Sequence, residues 1–180
     1  MRLLTYGHGT ADEATFAARL EAAGVARIVD VRRFPSSRRW PWFAAEAMAR
    51  WLPAAGIAYV PAPDLGGRRT PRPDSRNVVL RERGFRGYAD YMETAEFRAA
   101  FDRLVLEASV EPTALVCSET LWWRCHRRLI ADAAELLAGF EVVHIVGKAL
   151  QPHKPTAGVR TDGRGLVYDG PGPLFGAVDG

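Results

Sequence analysis

Five short segments are apolar almost end to end: residues 2–6, "ARIVDV" (26–31), "GIAYV" (56–60), "TALVC" (113–117) and "EVVHIV" (141–146). Stretches with helical spacing separate them. A strand with one wet face would alternate apolar and polar residues, so continuous apolar strands need cover on both sides. Strands of this kind alternating with helices predict a mostly parallel sheet between two helical layers. The expected fold is therefore α/β, a single-domain three-layer sandwich with a mostly parallel five-stranded sheet. A chain of 180 residues, 48% of them hydrophobic, can supply one such core.

Local signals give the punctuation. Thr10 and Glu13 match a T-x-x-E capping box for a helix that buries Phe16, Leu20 and Ala23 and stops at Gly24. Phe43, Ala47, Trp51 and Leu52 form the stripe of a second helix, and Phe97, Phe101, Leu104, Val105 and Ala108 that of a later one. A helix is expected from Cys125 to Ala138, stopped by Gly139. Residues 61–84, rich in Pro, Gly and Arg, make an irregular connection long enough to suggest a functional role. Residues 1–150 read as the α/β domain and 151–180 as a Gly/Pro-rich extension, with a hairpin around Asp162-Gly163 and loosely ordered last residues.

"MRLLTYGHGT" has no small-residue cleavage site, and no apolar stretch approaches bilayer length. Two cysteines cannot build a disulfide framework, although a lone Cys117–Cys125 bridge stays open. The expectation is a soluble cytoplasmic protein with reduced thiols and no membrane partner. Its net charge of +3 conceals an asymmetry: between Arg27 and Arg86 there are 13 arginines and 5 acids, leaving the remainder net negative. Such a basic segment suits an anionic partner, either an anionic small molecule or nucleic acid. The oligomeric state is left open.

In an open parallel sheet, ligands bind beyond the carboxyl ends of the strands. Those ends are polar here: Tyr6-Gly7-His8-Gly9 after the first, Asp30 and Arg32-Arg33 after the second, Cys117-Ser118-Glu119 after the fourth, and His144 near the end of the fifth. His8, Asp30, Cys117 and Glu119 are the candidate catalytic groups. Tyr6, Arg32, Arg33, Gly66, Gly67, Arg68, Tyr88, Arg124, His126, Arg127 and Arg128 are the candidate substrate-binding residues. Arg124, Arg127 and Arg128 stand at or just inside a helix start, where each cation is mildly disfavoured. A bound phosphate or carboxylate would compensate them; the alternative is internal neutralisation by Glu119 and Asp132.

Cys117 near arginines and a helix start fits a nucleophile, although small buried core thiols are commoner. Cys117 and the Cys125-His126 pair give neither C-x-x-C nor a second ligand pair, so the spacing argues against a metal site. An arginine six positions after Cys117, as a phosphatase loop requires, is also lacking, since position 123 is Trp. Gly7-His8-Gly9 lacks the third glycine of a dinucleotide fingerprint, and no cofactor is expected. "SSRRWPWF" (36–43) mixes arginines with aromatics as base-stacking surfaces do, but Trp42 and Phe43 equally suit a core.

"TYGHGT", "IVDVRRFPSS", "GIAYVPAPDLGGRR", "GFRGYADYMETAEF", "ALVCSE" and "CHRRLIAD" follow one another as in the bacterial and archaeal family called domain of unknown function 488, which the chain resembles over roughly residues 3–146. The family's usual G-H-S is Gly7-His8-Gly9 here, and "TLWW" (120–123) replaces an acidic or proline-containing linker. The resemblance implies an α/β fold and brings no established reaction. The resulting expectation is an enzyme acting on a nucleotide or nucleic acid. The alternatives are a non-catalytic nucleic-acid-binding or sensing module using Trp40 and Trp42, and a thiol-based redox-responsive protein using Cys117 and Cys125.

Overall fold

A computed structural model describes residues 1–36 and 38–171. The main sheet has strands β1 (Arg2–Gly7), β2 (Arg27–Asp30), β3 (Ala58–Pro61), β4 (Thr113–Cys117), β5 (Glu141–Val146) and β6 (Ala149–Pro152), in the order β3-β2-β4-β1-β5-β6. The first five are parallel. The sheet thus has six strands rather than five. β6 turns back beside β5 in antiparallel register, and its exposed, mixed sequence "ALQP" carries no apolar run to announce it.

Helices α1 (Glu13–Ala22) and α2 (Ala45–Ala54) cover one face, where Phe16, Leu20, Met48 and Leu52 pack on Leu4, Ile28, Ala114 and Val116. Helices α3 (Arg83–Met92), α4 (Ala95–Val110) and α5 (Arg127–Leu136) cover the other, over Leu3, Val29, Leu115 and Val142. Neighbouring residues of one strand thus feed opposite cores, as continuous apolar strands require. α1 is capped by Asp12, whose carboxylate accepts from Thr15 N–H at 2.6 Å, and not by Thr10. Phe43 stands in a 3-10 turn before α2 rather than in the helix.

The chain runs outward from β1 to β3 with its helices on one face and returns from β3 to β5 with its helices on the other. The loops leaving the adjacent strands β1 and β4 therefore diverge to opposite layers and open a crevice at their carboxyl ends. Register sharpens this: Gly7 lies opposite Cys117 and Asp30 opposite Val116, so three strands end nearly level. Past them, His8 N–H donates to Cys117 O and Gly9 N–H to Ser118 O, both at 3.0 Å, keeping the two loops side by side.

A hairpin of β7 (Val159–Asp162) and β8 (Gly165–Tyr168) packs outside the sheet near α3. The expectation for the final residues falls on 172–180, outside the described residues. A buried polar chain secures the segment that leads to the hairpin. Asp132 of α5 accepts from His153 Nε2–H (2.9 Å), Thr156 N–H (2.8 Å) and Tyr168 O–H (3.0 Å). A carboxylate only accepts, so His153 presents Nε2–H to Asp132; its Nδ1 meets His144 Nε2 at 3.0 Å, and His144 Nδ1 meets the Thr5 hydroxyl at 2.6 Å. Burial, then the neighbouring His153 and the Arg127 charge, lower the His144 pKa to about 3.

That shift predicts acid sensitivity. The folded value lies below the ordinary 6.5, so the contribution is complete above about pH 6.5 and is lost as pH falls toward 3. Between pH 7.5 and pH 5 this one imidazole should remove about 2 kcal/mol of stability. Urea unfolding at the two pH values checks this: the loss should shrink in His144→Gln, whose amide can accept from Thr5 and donate to His153. An equal loss in both proteins would assign the acid sensitivity elsewhere.

Candidate functional site

The crevice at the strand ends holds a cavity of about 380 Å³ whose walls include His8, Arg32, Arg33, Gly67, Arg68, Cys117 and His126. The residues picked from the strand ends thus divide into groups that face this space, groups behind it and groups elsewhere.

Asp30 stands behind the wall. Its carboxylate grips Arg32 through Nε (2.8 Å) and Nη2 (2.6 Å), accepts the Arg32 main-chain N–H (3.1 Å), and takes the Tyr59 hydroxyl (2.8 Å). Arg32 also donates to Phe43 O at 2.7 Å. Asp30 is a saturated structural anion rather than the acid or base expected of it. Tyr59 shows the same enclosure: burial first, then the Asp30 charge, raise its hydroxyl beyond the ordinary range.

His8 is stacked on Phe43 with ring centroids 4.0 Å apart. Its Nδ1–H donates to Gly9 O (3.1 Å), so Nε2 is the acceptor facing Arg32 Nη1 at 3.4 Å. Burial and then the Arg32 charge lower its pKa to about 4, which makes it a neutral group in the cleft wall at physiological pH.

Arg127 is 1% exposed and has no carboxylate partner among the described residues. Its guanidinium donates to Glu119 O and, from Nε at 3.4 Å, to Cys125 Sγ. Gly7 permits this approach, since a Cβ there would lie 1.8 Å from Glu119 O and 2.7 Å from the Arg127 guanidinium. A buried cation calls for electron-rich partners, and the Glu119 carbonyl and the Cys125 sulfur take that place. The hydrogen bond from Cys117, reinforced by the Arg127 charge, draws the Cys125 thiol down to about 6. The same hydrogen bond, with burial, pushes Cys117 up. In place of the carboxylates expected from Glu119 or Asp132, Arg127 meets the Glu119 carbonyl and the Cys125 sulfur.

His126, at the N-cap of α5, donates Nε2–H to Val31 O at 3.0 Å and turns Nδ1 toward Cys125 Sγ at 3.6 Å. Burial lowers its pKa, so the ring is neutral. Cys117 Sγ, Cys125 Sγ and a His126 ring nitrogen lie within 4.8 Å of one another, the set of side chains here best suited to a soft cation. The spacing argument missed this set because one ligand comes from the end of β4 and two from the start of α5. The helix begins at Arg127 rather than Cys125, after a 3-10 turn at Trp122–Arg124.

Several expected contacts lie elsewhere. Tyr6 is buried beneath α1, stacked on Phe16, with its hydroxyl taking Arg19. Tyr88 is buried in the opposite core and donates to Leu65 O at 2.6 Å, touching the site only through the back of the His126 ring. Arg124 is exposed on the 3-10 turn. Arg128 leans over Phe85 of α3 and donates to Trp123 O. Glu119 is exposed and accepts its own turn's Leu121 N–H, so only its main chain reaches the site. Gly66 is packed against Arg33 behind the wall. Trp42 donates to Ala11 O on the core side, whereas Trp40 and Phe34 border the cleft.

The basic segment also disperses on folding. Arg27 pairs with Glu107 and Glu111, Arg72 with Glu93, and Arg76 with Glu93 and Asp162, acids drawn from the end of α3, from α4 and from further along the chain. Arg33 and Arg68 keep guanidinium groups at the cleft without an ion pair among the described residues. Arg68 also holds φ at 60°, a left-handed backbone that is costly for a side-chain-bearing residue and recurs at functional sites. Among the described residues no helix is long and apolar enough to cross a membrane. No curated protein and no solved structure matches the chain. The order of its motifs finds its counterpart at the level of family: a model described as "Domain of unknown function DUF488" matches residues 12–134, and the chain belongs to that family.

Proposed function

We propose that the protein is an enzyme acting on a phosphate-bearing small molecule, a nucleotide in the first place, held in the cleft at the carboxyl ends of β1, β2 and β4. The observation that carries this reading is the pair Arg33 and Arg68, cations at the cleft that no carboxylate among the described residues neutralises. Arginine forks are strong phosphate donors. Phe34 and Trp40 beside them supply flat apolar surface for a base, and about 380 Å³ suits a small ligand better than a polymer. The internal pairing of Arg27, Arg72 and Arg76 likewise favours a compact anion over a nucleic-acid backbone tracked along the surface. Catalysis, rather than binding alone, is favoured by the thiol of Cys125, drawn downward by Cys117 and Arg127, next to the cleft-lining Cys117.

Thermal unfolding with a panel of nucleotides and their nucleosides tests the reading. At roughly 100 times its Kd, a bound nucleotide stabilises by about 2.7 kcal/mol, a rise of about 5–10 °C for a domain of this size. The nucleoside should give much less, and Arg33→Gln or Arg68→Gln should lose most of the shift while folding normally. Equal shifts from nucleoside and nucleotide would remove the phosphate from the reading. A bound nucleotide recovered chemically unchanged under all conditions would favour a sensing module.

A further inference from the structure

We propose that Cys117, Cys125 and His126 form a three-ligand site for a thiophilic divalent cation, zinc in the first place, with the fourth position open to the cleft. The donors are two thiols and one imidazole nitrogen, all within 4.8 Å of one another. Zinc bonds of about 2.3 Å to sulfur and 2.0–2.1 Å to nitrogen, set tetrahedrally, place a sulfur and a nitrogen ligand about 3.6 Å apart. Cys125 Sγ and His126 Nδ1 stand 3.6 Å apart.

The surroundings point the same way. His126 gives its Nε2–H to Val31 O, which fixes the tautomer and presents the Nδ1 lone pair toward the sulfurs, the outer-shell arrangement usual for ligating histidines. Gly67 abuts this ring, and a Cβ there would come within 2.9 Å of Nδ1. Arg127 donates from Nε to Cys125 Sγ at 3.4 Å, which orients that sulfur as an acceptor. Cation binding to the two cysteines releases their thiol protons. Two thiolates cancel a divalent charge, the imidazole is neutral, and Arg127 leaves the assembly net positive. The open fourth position, bordered by Arg33 and Arg68, is thus suited to an anion: hydroxide or a substrate oxygen. Three protein ligands and one free position is the pattern of catalytic rather than structural zinc. The site borders the nucleotide cleft, but its occupancy is read without any substrate, so failure of either reading leaves the other standing.

Cobalt(II) is the probe, added to the full chain after chelation and under reductant. The expected result is one cobalt per chain, with a near-ultraviolet sulfur-to-cobalt charge-transfer band and tetrahedral visible bands, both displaced by zinc. Cys117→Ser and Cys125→Ser should lose most of the charge-transfer intensity, and His126→Gln or Gly67→Ala should weaken cobalt binding at least about tenfold. Circular dichroism identifies which variants remain folded, and wild-type protein alone provides the first decision. Absence of a charge-transfer band in reduced, folded wild type would overturn the proposal, as would an unchanged spectrum in folded Cys117→Ser.

Discussion

Asp30→Ala should lower the unfolding free energy by about 3–5 kcal/mol, because it leaves the Arg32 guanidinium buried without its counter-ion. Asp30 is 1% exposed and Arg32 7%, and three hydrogen bonds join them. The Tyr59 hydroxyl would lose its acceptor in the same step. Equilibrium urea unfolding measures the effect. Replacing both partners by apolar groups, as in Asp30→Leu with Arg32→Met, should cost distinctly less than the two single changes combined, since the burden lies in the unpaired charge. Were Asp30 a general acid or base, Asp30→Ala would fold with nearly parental stability and lose only turnover. A cost below about 1 kcal/mol would therefore restore it to the catalytic list and overturn the structural reading.

The alternation of apolar runs with helical stripes was sufficient to predict the layers, because each strand had to be covered on both faces. β6 escaped that logic: as an antiparallel edge strand it needs no apolar run, only a turn after β5 and free ladder groups to pair with. The strand-end rule pointed to the place where the cleft lies, but residue type did not say which way a side chain faces. Tyr6 and Arg32 each stand at or beyond a strand end; Tyr6 points into the core beneath α1, whereas Arg32 reaches the cleft. Charge counts along the chain failed for a related reason. Arg27, Arg72 and Arg76 are neutralised by acids far away in sequence, a pairing that only the fold can make.

Arg127 is the most instructive case. A cation at a helix start asks for an anion, and the local sequence offers Glu119 and Asp132 as obvious carboxylates. Neither serves. Glu119 turns its carboxylate to its own loop and Asp132 to His153, leaving Arg127 to the Glu119 carbonyl and the Cys125 sulfur. Cys117, Cys125 and His126 carried no recognisable metal spacing, because such spacings describe ligands presented by one local turn. Here the sheet brings β4's last residue against the N-cap of α5, and the tautomer of His126 is set by Val31 on a third segment. A signal was present in the sequence nonetheless: two thiols, a histidine and an arginine packed around a strand-to-helix junction.

Asp132→Ala should be the second severe substitution, costing about 3–5 kcal/mol, since each orphaned buried donor costs about 1–3 kcal/mol. Three donors converge on this carboxylate: His153 Nε2–H, Thr156 N–H and the Tyr168 hydroxyl. Two of them belong to the segment leading from β6 to the hairpin and one to β8, so the loss should be local as well as global. Limited proteolysis should cut residues 153–168 faster than in the parent, in addition to the drop in urea midpoint. Asp132→Asn should be far milder, at about 1–1.5 kcal/mol, because an amide oxygen can keep His153 and Thr156 while its NH2 donates to a rotated Tyr168 hydroxyl. If Asp132 acted instead by neutralising the helix-start arginines, Arg128→Gln would relieve the damage of Asp132→Ala. Arg128 leans on Phe85, donates to Trp123 O and forms no ion pair with Asp132 among the described residues, so the two changes should combine additively. Measurable relief in that double variant, or equal damage from Asn and Ala, would show that charge rather than hydrogen-bond satisfaction is what Asp132 provides.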